Sequence, residues 1–324
     1  MLHIRRILFP TDFSACAEAA FTHAAYLAQR TDAELHVLHV AEPDVTAPDD
    51  WISALRITPE DIAADLAVPV PASPSKDRAP GDPVPLIDAE VRAPKAAPAI
   101  LRYVEEHDID LVVMGTHGRR GVRRMLVGSV AEEVVRLAPC PVFTVGRHEG
   151  CEGAWAIRRI VAPVDFSEHA RLAARHAAAL AATYGAALDL LHVVDDRALP
   201  IVEMPYLGAF SVSVEEVQER AQEALEGLAD ALEAEVPGVG EVGAFTRFGN
   251  PSGSIAAFAE GQRADLVVVG SHGRTGMERL LMGSVVEFVI RLAPCPVFTV
   301  KSFGRSLVGP ALRRAQPDPE AAPA

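Results

Sequence analysis

The sequence predicts two tandem α/β domains, each a parallel sheet with helices on both faces. Three observations predict it. The chain repeats itself: 26 of the 36 positions from Asp110 to Val145 match those 155 residues later, so the two halves share one architecture. Each half alternates short runs of Val, Leu and Ile with helical segments, the pattern of parallel strands joined by crossovers. In each half a glycine loop, Gly115–Val130 or Gly270–Val285, also follows such a run and precedes a helix start.

In the first half, Ile4–Phe9 reads as a strand ending at Pro10-Thr11-Asp12, and Ser14 opens an alanine-rich helix, Ala15–Arg30. Glu34–Val40 is the second strand, so the unit is βαβ with a right-handed crossover. Nine prolines in Glu42–Pro85 exclude a long helix; two short helical pieces, Trp51–Ile57 and Pro59–Leu66, and a loop at Pro69–Pro83 are expected instead. Then follow strand Leu86–Val91, helix Pro98–His107, strand Asp110–Met114, helix Ser129–Leu137 and strand Val142–Val145. The second half repeats the order with strand Ile160–Ala162, helix His169–Tyr184 and strand Ala187–Val193. Its middle differs, carrying one long amphipathic helix, Ser213–Glu235. The expected division is residues 1–146, a linker at 147–157, residues 158–302 and a disordered tail at 303–324.

The loops carry the chemistry. Each has two residues between its first and second glycines and nine more before a third: Gly115, Gly118, Gly128 in one half, Gly270, Gly273, Gly283 in the other. A serine follows, then a glutamate three residues on (Ser129 and Glu132, Ser284 and Glu287), the form of a capping box. A glycine loop entering a helix N-terminus offers backbone N–H groups in the positive field of the helix dipole, which suits a phosphate. Tight turns and helix caps also use glycine and serine, so a structural role stands beside the functional one. Arg119, Arg120, Arg123 and Arg124 in one loop, and Arg274 and Arg279 in the other, favour the anion reading in an otherwise acidic chain.

This pattern, followed by a helix and Pro-Cys-Pro-Val, resembles the ATP-binding branch of the universal stress protein family, over roughly Arg5–Val145 and Arg158–Val300. The resemblance implies a doubly wound, five-stranded parallel sheet of order 3-2-1-4-5 in each half. It also implies pairing of domains through their last strands, here the identical Val142–Val145 and Val297–Val300. By the same resemblance, Thr11, Asp12, Val40, Gly115, His117, Gly118, Arg119, Gly128, Ser129 and Val130 would line one ATP site. Val164, Asp165, Val193, Gly249, Gly270, His272, Gly273, Arg274, Gly283, Ser284 and Val285 would line the other. Asp12 and Asp165 would hold the adenosine; an N-cap of the following helix is their structural alternative. The halves differ after the third strand, where Arg247-Phe-Gly-Asn-Pro251 stands against Arg92-Ala-Pro-Lys-Ala96, so unequal affinities are expected.

Composition narrows the partners. Thirty Lys and Arg against 44 Asp and Glu, a net charge of −14, argue against nucleic acid. No apolar run is long enough for a bilayer, and the start runs into a strand, so a cytoplasmic protein is expected. Cys16, Cys140, Cys151 and Cys295 form no Cys-x-x-Cys or zinc spacing. No P-loop lysine motif occurs, and His117 and His272, after the first glycine of each loop, could in principle act as acid or base near a phosphate. No dedicated metal cage is visible; any Mg2+ would arrive on the ATP phosphates. The leading expectation is a nucleotide-dependent regulatory protein of the stress response, acting on an unknown protein partner. A slow ATPase or phosphotransfer enzyme, and a nucleotide-free scaffold, are the alternatives, and a homodimer is left open.

Overall fold

The computed structural model describes residues 2–41, 86–116, 128–146, 156–195, 214–271, 283–301 and 303–309. The short helices expected within Glu42–Pro85, and Cys151, lie outside them. The strands are β1 (Arg6–Thr11), β2 (Glu34–Ala41), β3 (Leu86–Arg92), β4 (Leu111–Gly115), β5 (Val142–Val145), β6 (Arg159–Pro163), β7 (Ala187–Val194), β8 (Val242–Phe248), β9 (Leu266–Gly270) and β10 (Val297–Val300). Between them run α1 (Ala15–Thr31), α2 (Ala96–Glu106), α3 (Ser129–Leu137), α4 (Glu168–Tyr184), α5 (Val214–Glu235), α6 (Pro251–Gly261) and α7 (Ser284–Leu292). All ten strands form one sheet, in the order β3-β2-β1-β4-β5-β10-β9-β6-β7-β8. Each half therefore has the order 3-2-1-4-5, and the two meet through their last strands.

Within each half the strand pairs are parallel, and the central seam between β5 and β10 is antiparallel. Phe298 lies opposite Phe143 there, their rings 5.8 Å apart, and Thr144 Oγ1 donates to the Val297 carbonyl at 3.0 Å. Pro10 and Pro163, expected just past their strands, belong to β1 and β6, paired with Leu38 and Leu191. Each stands within one residue of its strand's end, where a missing N–H costs the ladder little.

The two faces of the sheet are organised differently. One carries α1, α4 and α5 over a single apolar core that runs through both halves, from Phe9 and Leu27 to Leu180, Leu232 and Phe298. The opposite face carries two separate cores, one under α2 and α3, the other under α6 and α7. Across the seam Tyr26 stacks on Tyr184 with ring centroids 4.7 Å apart and donates its hydroxyl to the Thr183 carbonyl. Beside them His23 is fully buried, and desolvation pushes its pKa down from 6.5 to about 3.

The tail expected at 303–324 is a correction in its first part. Residues 303–309 pack across both halves, because Leu307 and Val308 supply apolar side chains that are almost wholly buried. Val308 bridges Leu2, and the Leu307 carbonyl accepts from His3 N–H at 2.7 Å. Arg305 donates to the Pro139 and Ile109 carbonyls and to Asp108. Leu307 N–H in turn donates to Nε2 of His176 on α4, 3.0 Å away. Gly304 makes the turn at φ +81°, where a Cβ would fall 2.0 Å from the Pro139 carbonyl oxygen. Residues 310–324 lie outside the described residues.

Gly304→Ala should detach the segment and destabilise the protein by about 2 kcal/mol or more, read by thermal unfolding, since it combines left-handed strain with a backbone clash. The unfolded state protonates His23 near pH 6.5 while the folded state holds it neutral down to about pH 3, so stability falls as pH drops through that window. His23→Leu should therefore flatten the acid limb by a few kcal/mol, on the order of the pKa gap. Parallel urea midpoints for both proteins from pH 6.5 to 4 would contradict this.

Candidate functional site

The carboxyl ends of β1, β2 and β4 lie side by side in the first half, and those of β6, β7 and β9 in the second, each marking a candidate crevice. In an open parallel sheet that end, where strand order reverses, is where ligands bind. The structure brings Thr11, Asp12, Val40, Gly115, Gly128, Ser129 and Val130 to the first crevice. It brings Val164, Asp165, Val193, Gly270, Gly283, Ser284 and Val285 to the second, with Gly249 at the end of the adjoining β8. His117, Gly118, Arg119, His272, Gly273 and Arg274 lie outside the described residues, as does the rest of the basic cluster.

Both glycine loops are pinched shut at their bases. Thr116 N–H donates to the Val145 carbonyl, and the Thr116 carbonyl accepts from Gly128 N–H at 2.7 Å. In the second half Ser271 N–H donates to the Val300 carbonyl, and the Ser271 carbonyl accepts from Gly283 N–H at 3.1 Å. Each excursion is thereby delivered to the start of α3 or α7. Gly115 has a structural reason of its own: a Cβ there would stand 2.9 Å from the carbonyl carbon of Cys16, so the loop base abuts the first turn of α1. Loss of binding in a bulky Gly115 variant would therefore not by itself mark phosphate contact.

The capping-box reading is corrected. Gly128 and Gly283 are the N-caps, with extended ψ of 143° and 140° and no side-chain cap. Ser129 and Ser284 are the first helical residues and are exposed. The Gly128 and Gly283 carbonyls accept the first helical bonds, from Glu132 and Glu287 N–H, which sets the helix start one residue earlier than the motif implies. Both hydroxyls thus flank a helix N-terminus without serving as its cap. Beside them Arg291 of α7 pairs with Glu287 at 2.7 Å and with Glu132 of α3 at 3.5 Å, tying the first turns of the two helices together.

The capping alternative for Asp12 and Asp165 is also settled. Ser14 and Ser167 cap α1 and α4, accepting from Ala17 and Ala170 N–H. Asp12 Oδ1 instead accepts from Ser14 N–H at 3.1 Å, and Asp165 Oδ1 accepts from Ser167 N–H at 3.0 Å and Ser167 Oγ at 2.5 Å. These are tight Asx turns that hold a carboxylate at the end of β1 and of β6.

Sequence reading missed what holds those turns. Phe13 and Phe166, directly after the aspartates, adopt φ of +61° and +63°, a left-handed geometry costing an aromatic residue about 1–3 kcal/mol. Each rests on a histidine from the neighbouring strand. His39 Nδ1–H donates to the Thr11 carbonyl at 3.0 Å and its ring packs on Phe13 at 4.7 Å. His192 Nδ1–H donates to the Val164 carbonyl at 2.6 Å and its ring packs on Phe166 at 4.6 Å. The available signal was the recurrence of Asp-Phe-Ser and Leu-His-Val in both halves.

The crevices are not identical. In the second, Gly249 turns at φ +134°, Asn250 Oδ1 caps α6 through Gly253 N–H, and Arg171 lies over Phe166 and donates to its carbonyl. In the first, Lys95 stands at the N-cap of α2 and makes no side-chain cap bond. Among the described residues no three His, Cys, Asp or Glu side chains gather as a metal site, and no helix is long and apolar enough to cross a membrane. Cys140 and Cys295 are buried, and desolvation pushes both thiols up, Cys140 to about 12, which leaves them unreactive.

The model of the Universal stress protein family matches residues 3–146 and again 156–301. Universal stress protein Rv2005c of Mycobacterium tuberculosis is 28% identical over 313 residues, covering 91% of this chain and 96% of its own. Universal stress protein MJ0531 of Methanocaldococcus jannaschii is 40% identical over 144 residues, 44% of this chain and 82% of its own. A solved structure, a putative universal stress protein from Pseudomonas aeruginosa UCBPP-PA14, superposes with a TM-score of 0.63 at 19% identity, over 92% of this chain and 93% of its own, which speaks to the fold. With its repeated crevice, its 3-2-1-4-5 halves and both halves matched, the chain belongs to the universal stress protein family, as a tandem two-domain member.

Proposed function

We propose that the chain is an ATP-binding regulatory protein with one nucleotide site in each half, acting as a nucleotide-dependent switch in the stress response. The observation that carries this reading is the twofold recurrence of a pinched glycine loop that ends at a helix N-terminus with an exposed, non-capping serine. Such a terminus presents unpaired N–H groups to a phosphate. Asp12 and Asp165, fixed at the ends of β1 and β6, would take the adenosine side, and any Mg2+ would be held by the nucleotide phosphates and water. The absence of a P-loop lysine from the sequence favours binding over efficient phosphoryl transfer.

For a switch, ATP must bind two conformations with different affinity. The Arg291 pairs with Glu132 and Glu287 give the two phosphate-facing helices a direct connection through which occupancy of one site would be felt at the other.

Calorimetric titration with ATP tests the assignment. Two sites per chain are expected, with Asp12→Ala and Asp165→Ala each weakening one of them about tenfold, the loss of one charge-assisted hydrogen bond. Ser129→Ala and Ser284→Ala should weaken binding similarly while leaving stability within about 0.5 kcal/mol, because neither hydroxyl caps its helix. Undiminished binding in the double aspartate variant would overturn the site assignment. Steady, enzyme-like ATP turnover would favour the catalytic alternative.

A further inference from the structure

The left-handed turns at Phe13 and Phe166 recur in both halves, and each is met by a histidine from the neighbouring strand. Phe13 and Phe166 hold φ of +61° and +63° immediately after the aspartates. His39 and His192 stand at equivalent places on β2 and β7, each with Nδ1 on the carbonyl that precedes the aspartate. The ring contacts agree as well, at 4.7 and 4.6 Å and an interplanar angle of 41° in both. Their neighbours do not agree. Thr11 is matched by Val164, Glu18 by Arg171, and the turn after the third strand has a different sequence in each half. A contact kept while its surroundings diverge points to a constraint on the turn itself.

We propose that His39 and His192 are positioning residues, each clamping its left-handed Asp-Phe-Ser turn so that the aspartate carboxylate is held at the crevice before ligand arrives. The donated Nδ1–H anchors the carbonyl just before the aspartate, and the imidazole packs at a tilt against the phenylalanine ring of the left-handed turn. Without the anchor, the phenylalanine relaxes to an ordinary negative φ and the aspartate swings with it. Preorganisation of this kind raises affinity by removing the ordering cost from the binding step. The proposal rests on the nucleotide reading for its ligand, but its structural half stands apart from it.

The test compares His39→Leu, which removes the donor, with His39→Asn, whose side-chain N–H reaches the place of Nδ1–H without the ring. Two readouts are taken: ATP affinity of the first site by calorimetry, and the φ of Phe13 in crystals of the ATP-free proteins. His39→Leu should weaken the first site about tenfold, leave the second unchanged and move Phe13 out of the left-handed region. His39→Asn should keep φ positive and restore affinity to within about threefold of the original, which a merely space-filling role would not do. Retention of the left-handed turn in His39→Leu, or equal losses in both variants, would overturn the proposal. Should His39→Leu fail to fold, His192→Leu and His192→Asn carry the same comparison at the second site. If the unsubstituted protein binds no ATP, the nucleotide reading fails while the φ of Phe13 still decides for or against the clamp.

Discussion

The antiparallel pairing of β5 with β10 is the constraint on which the rest of the molecule depends. Each half alone would end in an exposed four-residue strand, Val-Phe-Thr-Val, a ready template for association. Pairing the two removes both edges at once and turns two five-stranded sheets into one of ten strands. It brings α1 and α4 onto one continuous apolar core, which Tyr26 and Tyr184 stitch across the seam. The segment 303–309 then closes over both halves, and Lys301, its predecessor, donates to the Val135 carbonyl at the far end of α3 from the glycine loop. Burial pushes that ammonium down to about 8, the electrostatic cost of placing a charge in the seam.

The same pairing sets the relation of the two candidate sites. α3 and α7 lie on one face, and Arg291 bridges the first-turn glutamates Glu132 and Glu287, so the two helix N-termini are neighbours in the electrostatic sense. The crevices have then diverged at their rims. Gly249 and Asn250 shape one, Lys95 the other, while the left-handed phenylalanine and its histidine are retained in both.

Much of this was legible in the sequence, for physical reasons. The buried strands announce themselves as apolar runs, whereas the seam between the identical Val-Phe-Thr-Val segments was implied by the family resemblance and not by the segments alone. Local patterns misled where a tertiary partner decides the outcome. Ser129 followed by Glu132 reads as a capping box, yet the pinch between Thr116 and Gly128 makes the glycine the cap. The Pro- and Ala-rich, aperiodic end reads as disordered, yet Leu307 and Val308 join the apolar core with Leu2 and α4, which composition does not encode. His39 and His192 stand on strands with no metal-ligand spacing to mark them, and what they do depends on carbonyls 28 residues away.

The central claim is that one chain carries two adenine-nucleotide sites built from equivalent turns and loops. The most direct measurement is mass spectrometry of the small molecules released when freshly purified protein is denatured, quantified per chain. The account predicts up to two adenine nucleotides per chain, with any shortfall restored when ATP is supplied. Complete absence of bound nucleotide, together with no uptake of added ATP, would contradict it and leave the glycine loops as structural turns of a scaffold.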